Sequence, residues 1–404
     1  MHTPDAGRAV TARGASLGGR AARPVTNARR TLPLRALWML PAALALLAGL
    51  DAALLLLGLP APVSTERLPQ VHGVVLVLGF VGTVIALERA TALGRWIGFA
   101  APALLGAGAI MLVIDAVPLS AGKTMLVAGT AAFTALYLPL WRRQRDAALL
   151  TQLLAAALGC AAAILWLGNV PVARLMPWLI AFVVLTIAAE RVELARITMG
   201  ARAGGRLLLA AWSTTAALVV SLIHADTGAV LLGAVLAVLT GWLVRHDVAR
   251  RTISARGVTR FMAACMLAGY AWLGVAAGIL LLGHPVDQPA YDAVLHAVFL
   301  GFTISMIMAH ATTILPAVLH ISLPYRAVMW VPMLLLHAGL ILRIGFGDGL
   351  GGQAAWQLGG VLNIVALLLF LLVAVGSAVA GPRRRRPTPP AARPGPGIRI
   401  GGER

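Results

Sequence analysis

Three histidines lie in one strongly apolar stretch of the chain. The stretch, residues 291–325, reads YDAVLHAVFLGFTISMIMAHATTILPAVLHISLPY and contains His296, His310 and His320. On an α-helix, His296 and His310 project within roughly 40° of each other, because each residue turns the helix by about 100°. Imidazole is costly in hydrocarbon and usually faces the protein interior, where it binds a ligand or a hydrogen-bonding partner. The stretch therefore predicts a membrane helix that presents histidines to the interior.

A further histidine, His72, lies in a second apolar stretch, LPQVHGVVLVLGF. If both stretches are helices that run in the same direction, His72 and His296 lie at a similar depth, about 6–9 Å inside their helix starts. Haem iron takes axial imidazoles from facing helices. We therefore predict that His72 and His296 bind haem or a metal ion; a hydrogen-bonded structural role is the alternative. His310 lies about 21 Å farther along its helix, so as a candidate cofactor ligand it would belong to a second centre or to an inner polar group.

Two other histidines, His224 and His284, are each close in sequence to an aspartate, Asp226 and Asp287. Imidazole and carboxylate ligands together suit a hard or borderline metal ion. These residues are therefore candidates for a separate metal site at the outer face. The alternative is that they are solvated residues of exposed loops.

The composition indicates that membrane helices position these histidines. Of 404 residues, 60% are hydrophobic and 12% are charged, whereas a soluble domain carries about 25% charged residues. A segment of about 20 apolar residues spans the hydrocarbon core of a bilayer. We predict an all-α polytopic membrane protein, with the lipid bilayer as its partner and twelve transmembrane helices at residues 36–58, 68–88, 95–114, 120–140, 147–168, 171–194, 206–224, 228–244, 259–283, 290–318, 326–345 and 353–379.

The basic residues predict how the chain is oriented. With twelve spans, 29 of the 33 Lys and Arg residues fall on one side of the membrane and four on the other, and the basic side is the cytoplasmic one. We therefore predict that both termini lie inside, in the cytoplasm. Residues 1–35 would be a disordered basic arm, 36–380 the membrane domain, and 381–404 a disordered basic, Pro-rich tail. Because this asymmetry explains the net charge of +19, we expect no nucleic-acid partner.

The second and sixth spans end in a similar way. The sequences LERA, from Leu87, and AERV, from Ala189, are 102 residues apart, and the tenth span offers AHA around His310. This spacing of about four spans suggests three four-helix repeats. The alternative is that Glu88–Arg89 and Glu190–Arg191 are ordinary hydrated ion pairs at cytoplasmic helix ends, each contributing little stability.

The motif that begins at His296 resembles a known family. The pattern H-A-x-F-L-G-F-x-x-S-M-I-x-x-H-A-x-x-I-L-P-A-V-L, followed by LPY at Leu323 and by LLHAGLxLR from Leu335, is similar to the NnrS family. That family comprises twelve-span bacterial membrane proteins that contain haem and copper and are linked to nitric oxide and denitrification. The resemblance implies a location in the bacterial cytoplasmic (inner) membrane, haem, copper and a role in the nitric-oxide response, with nitric oxide as a possible small-molecule ligand.

A more distant similarity is to subunit I of haem–copper oxidases. That fold also has twelve spans in three four-span arcs, and it ligates a low-spin haem from its second and tenth spans, where His72 and His296 fall here. This chain departs from the pattern at the copper centre, because its sixth span has neither histidine nor tyrosine. An oxygen-reducing copper site is therefore not expected.

These observations leave three classes of function. The first is a haem-binding, and possibly copper-binding, inner-membrane protein with a role in the nitric-oxide response or a related redox process. The second is a twelve-span transporter of a small solute, and the third is a membrane scaffold without chemistry. The chain has no CxxCH, no HExxH and no Walker loop, so the residues do not indicate whether it is an enzyme.

Overall fold

Twelve long apolar helices make up the computed structural model, which describes residues 34–380. They are α1 (Leu37–Leu56), α2 (Arg67–Leu93), α3 (Trp96–Val113), α4 (Leu119–Gln144), α5 (Ala147–Leu167), α6 (Val172–Leu194), α7 (Ala203–Ile223), α8 (Ala225–His246), α9 (Gly257–Leu280), α10 (Gln288–Leu319), α11 (Ala327–Asp348) and α12 (Gln353–Ala380). No strand occurs within this range. The all-α polytopic fold with twelve candidate spans is confirmed. Apart from residues 34 and 35, which open the helical turn Leu34–Met39, the predicted arm and tail lie outside the described residues.

The joins between helices carry the turn and cap residues that end or start a helix. Asp146 accepts a hydrogen bond from the Ala148 backbone amide at the start of α5, and Asp287 accepts one from Ala290 at the start of α10. Gly94 follows α2 with a φ of 70°, a left-handed conformation that glycine adopts without steric cost. These short joins place consecutive helices side by side in antiparallel fashion.

Every fourth helix lies in the interior of the bundle. In the most apolar window of each helix, 67% of the residues are buried in α2, 78% in α6 and 61% in α10, whereas the other nine range from 28% to 56%. This period of four helices is what the prediction of three four-helix repeats requires. It also explains why the polar residues of α2, α6 and α10 meet each other rather than lipid.

The interior helices α2 and α10 each change from α-helix to π-helix next to a histidine. In α2 a π-helical segment, Val75–Gly82, begins three residues after His72. In α10 a π-helical segment, Ala297–Ile304, begins directly after His296. Such segments are rare and often occur at functional sites, because each inserts a residue that re-aims the side chains around it.

Two basic residues near the ends of predicted spans are buried inside helices. Lys123 lies in α4, where its Nζ donates to the Trp166 carbonyl and to Asn169 Oδ1, both at 3.0 Å. Arg343 lies in α11 and is only 7% exposed. Each of these buried cations is held by polar partners within the bundle, as burial of a charge requires.

Candidate metal or cofactor site

His72 of α2 and His296 of α10 line one cavity. Met176 of α6, Arg343 of α11 and Asn363 of α12 also line it, so all three inner helices contribute. The cavity holds about 100 Å³ and lies within about 690 Å³ of empty space when its opening is included. The structure therefore brings together the two histidines that the sequence pairs by depth.

The hydrogen bonds of the two imidazoles leave the same ring nitrogen free. His72 Nδ1 lies 2.9 Å from the carbonyl oxygen of Gly49, and His296 Nδ1 lies 2.9 Å from the carbonyl oxygen of Asp292. A carbonyl oxygen only accepts, so each Nδ1 carries the proton and each Nε2 is left with a lone pair. Metal-binding histidines are commonly oriented in this way, with the second ring nitrogen donating to a carbonyl or carboxylate.

Asp292 connects His296 to a buried cation. Its carboxylate lies 3.2 Å from His296 Nδ1 and accepts from Arg343 Nε and Nη2 at 2.8 and 2.9 Å. Trp356 donates its indole N–H to the same carboxylate at 3.2 Å, and its ring stacks under the Arg343 guanidinium at 4.9 Å. This network fixes the orientation of the His296 ring, because Asp292 is itself held on both oxygens.

The ligating atoms of this site suit a metal, either as a single ion or within a haem, and the two differ in the space they need. Imidazole suits iron, copper and zinc, and a thioether such as that of Met176 favours Cu(I). The inner 100 Å³ is smaller than the roughly 300–1,000 Å³ of pockets for drug-sized ligands, so it fits a single ion directly. A porphyrin would have to use the opening of the cavity and part the apolar side chains around it, including Leu76 and Phe299.

His310, the third predicted cofactor ligand, lies in a different group. Its Nδ1 bonds the Met306 carbonyl at 2.8 Å, and its Nε2 bonds Arg191 Nη1 at 2.8 Å. Because arginine only donates, the Nε2 lone pair is occupied. In this arrangement His310 has a structural hydrogen-bonding role, and neither ring nitrogen faces a metal.

His224 and His284 are not gathered around a common centre. His224 is exposed, and Asp226 Oδ1 accepts from the backbone amide of His284 at 3.1 Å, which ties α8 to the loop before α10. Within the part of the chain that the structure describes, no group of three or more His, Cys, Asp and Glu side chains is placed to hold a metal ion. The fold thus supplies a structural explanation for Asp226.

A second, larger cavity adjoins the histidine cavity. It holds about 490 Å³ and shares Met176 and Leu295 with it. Arg174, His284 and Tyr291 give it a partly polar lining. Its position makes Met176 and Leu295 the partition between this space and the two histidines.

At the C-terminal ends of α2 and α6, one ion pair differs from the pair expected from the sequence. Arg191 does not pair with Glu190; its Nε and Nη2 donate to Asp247 at 2.9 and 3.1 Å. Glu190 instead lies 3.5 Å from Arg89. Both arginines are buried, at 7% and 5% exposure, so the expectation of hydrated surface ion pairs is wrong. The reason is that α2 and α6 are interior helices whose ends are covered by neighbouring helices and joins.

Asp247 is saturated with donors. Besides Arg191, it accepts from Tyr270 Oη at 2.7 Å and from the Ala249 amide at 3.0 Å. Burial by itself raises the pKa of this carboxyl, but the hydrogen bonds and charge of Arg191 outweigh that effect and hold the pKa below its ordinary value. Asp247 was not recognised as a site residue in the sequence, since it lies in a join among basic residues.

The chain matches a family described as "Domain of unknown function (DUF8744)" over residues 35–379. It belongs to this family. No curated protein and no solved structure matches the chain. The matched range contains His72, His296, Met176 and Arg343, so the complete histidine cavity lies within the family domain.

Proposed function

We propose that this protein is a bacterial cytoplasmic-membrane protein that binds haem iron or copper through the Nε2 atoms of His72 and His296. One observation carries the proposal: both Nδ1 atoms bond backbone carbonyls, while both rings line one cavity. His310, in contrast, uses both of its ring nitrogens in hydrogen bonds.

Two residues that line the cavity favour different cofactors: Arg343 favours haem, and Met176 favours copper. Arg343 presents a guanidinium at the cavity, and a buried arginine suits the propionates that a haem carries. Met176 presents a thioether, which together with two imidazoles is a donor set for Cu(I). In either case the role of the protein is to hold the metal by its two rings, keep it in an apolar and largely dry site, and fix the rings through Gly49 and Asp292.

A role in the nitric-oxide response, or in a related redox process, is proposed from the resemblance of residues 296–319 to the NnrS family. The second, larger cavity supports it, because Met176 and Leu295 line both that cavity and the histidine cavity, so a diatomic molecule that enters the larger one lies next to the histidine site. Small uncharged molecules of this kind also partition into the apolar interior of the bundle.

The absorption spectrum and metal content of the purified protein test this proposal. The full chain is expressed with ample haem and, separately, with added copper, and is purified in detergent. A Soret band or a stoichiometric copper content supports it, and nitric oxide added to the reduced protein should shift that spectrum. A colourless, copper-free protein from both cultures would contradict it; solute counterflow by such a preparation would favour the alternative of a transporter.

A further inference from the structure

A second buried polar group lies at the opposite end of α2 and α6 from His72 and Met176. At its centre is Arg89, whose Nη2 lies 2.9 Å from Glu88 and 3.5 Å from Glu190, and whose Nη1 lies 3.3 Å from Glu193. These four residues are here named the Arg89 cluster. None of them belongs to the cavity of His72 and His296.

The charges of the Arg89 cluster do not balance. Three carboxylates surround a single guanidinium, which would leave a net charge of −2 if all three were ionised. The neighbouring cation, Arg191, compensates for this only in part, because Asp247 binds it with both carboxylate oxygens. The other groups that face the cluster are neutral: Tyr137 from α4 and Gln152 from α5. Like charges in a buried site raise the free energy of the fully ionised state steeply.

The same place contains polar atoms that are buried without a partner. Tyr137 is 0% exposed and its hydroxyl has no hydrogen bond, although it interacts electrostatically with Arg89 and with all three glutamates. Gln152 is also 0% exposed; its Nε2 donates to Glu193 at 3.4 Å, while its Oε1 has no partner. Arg89 Nε is a third unpaired group. Buried donors and acceptors that are left without partners around one charged group usually hold water or another small polar guest.

The identity of the guest follows from the mixed charges. A metal cation is not favoured, because within the described residues no group of three or more His, Cys, Asp and Glu side chains is placed to hold one, and the three carboxylates repel an anion. A proton with an accompanying water satisfies both, because it removes one negative charge and supplies the missing hydrogen bonds. Among the glutamates, Glu190 is the best position for the proton: its side chain is 14% exposed, against 21% for Glu88 and 32% for Glu193. It also makes the longest contact to Arg89, and its Oε1 has no hydrogen bond.

We propose that the Arg89 cluster is a proton-binding site, in which Glu190 holds one exchangeable proton and a water molecule contacts Tyr137 and Gln152. The site lies at the Arg-rich end of the bundle and opens to that side through Glu193, its most exposed member. It does not depend on a haem or a metal at His72 and His296. A membrane protein with such a site can take up a proton from the aqueous phase on that side.

Infrared spectroscopy of the full chain at neutral pH tests the proposal directly. A protonated carboxyl has a C=O stretch that is separate from the carboxylate bands and that shifts in D₂O when its proton exchanges. We expect an exchangeable band that is lost in Glu190→Gln and retained in the matched control Glu193→Gln. Tyr137→Phe should move the band without removing it, because the hydration of the carboxyl changes.

Three results would overturn the proposal: the absence of such a band from the wild-type protein, a band that does not respond to D₂O, or a band that persists in Glu190→Gln. If Glu190→Gln fails to fold, Glu190→Asp replaces it, and the band must then appear at a changed frequency. A band that is identical in Glu190→Asp and wild type would assign the proton elsewhere and refute the assignment to Glu190.

Discussion

Asp292 contacts both His296 and Arg343, so its replacement by asparagine affects metal binding and stability together. The substitution removes the negative charge that faces Arg343 and His296 but keeps the size of the side chain. His296 Nδ1 retains the Asp292 backbone carbonyl as a partner, so the ring stays in place. The ring loses the carboxylate at 3.2 Å, which makes the Nε2 lone pair a stronger ligand for a metal.

The expected size of each effect follows from these contacts. Loss of an outer partner of a metal-binding histidine typically costs 10–100-fold in metal affinity, which corresponds to about 1.4–2.8 kcal/mol. The same change leaves the buried Arg343 without its two-point partner. Removal of one member of a buried ion pair costs about 3–5 kcal/mol of stability. Asp292→Asn should therefore lower both the metal affinity and the melting temperature.

Asp247→Asn is the matched control, because Asp247 holds Arg191 by the same two-point contact. It should lower the melting temperature in detergent by a similar amount, while titration of metal-free protein with haem or Cu(I) shows wild-type affinity. Equal affinities for Asp292→Asn and Asp247→Asn would refute the reasoning, since the Asp292 carboxylate would then have no influence on His296.

The same control has a defined pH dependence. The folded-state pKa of Asp247 lies below its ordinary value, so its stabilising contribution is fully present above the unfolded-state pKa of about 3.9. It is lost as the pH falls through the folded-state pKa. The difference in melting temperature between wild type and Asp247→Asn should be constant from pH 7 to about 5 and shrink only below about pH 4.

Two further predictions concern His310 and the orientation of the chain. His310→Ala should leave the haem spectrum or copper content of the histidine cavity unchanged, because the His310 Nε2 atom already bonds Arg191. Loss of the cofactor with intact folding would show that the site has been placed at the wrong end of the bundle. Reporter fusions should place Asp287 outside and Arg251 inside, since basic residues mark the cytoplasmic side. A reversed result at either position would contradict the proposed topology.

The positions of the helices could be predicted from the sequence, because length and hydropathy determine them. Each of the twelve predicted spans overlaps one helix, and the ends differ by a few residues where a cap or a buried charge extends the helix. The helix α2, for example, continues beyond residue 88 to Leu93, because Arg89 finds partners inside the bundle. The π-helical segments beside His72 and His296 have no comparable signal, since they depend on how neighbouring helices pack.

The candidate site could be predicted only in part from the sequence. Equal depth brought His72 and His296 together, but depth alone does not show which face of a third helix supplies Met176. Arg343 lies near the end of its predicted span, where a charge usually marks the membrane interface. Only the contact to Asp292, 51 positions away in the chain, shows that it is a buried partner. The spacing of Asp292 and His296, four residues on one helix, was the available signal.

The most direct test of the account is the optical and metal analysis of His72→Ala and His296→Ala beside the wild-type protein. Each of the two variants removes one of the two Nε2 ligands, so each should lose the bound copper or abolish or convert the low-spin haem spectrum. Both should remain folded, because the His72 ring bonds only the Gly49 carbonyl, and Asp292 keeps Arg343 as its partner when the His296 ring is removed. If folded His72→Ala and His296→Ala retain the wild-type spectrum and metal content, the two histidines are not the ligands and the central claim is wrong.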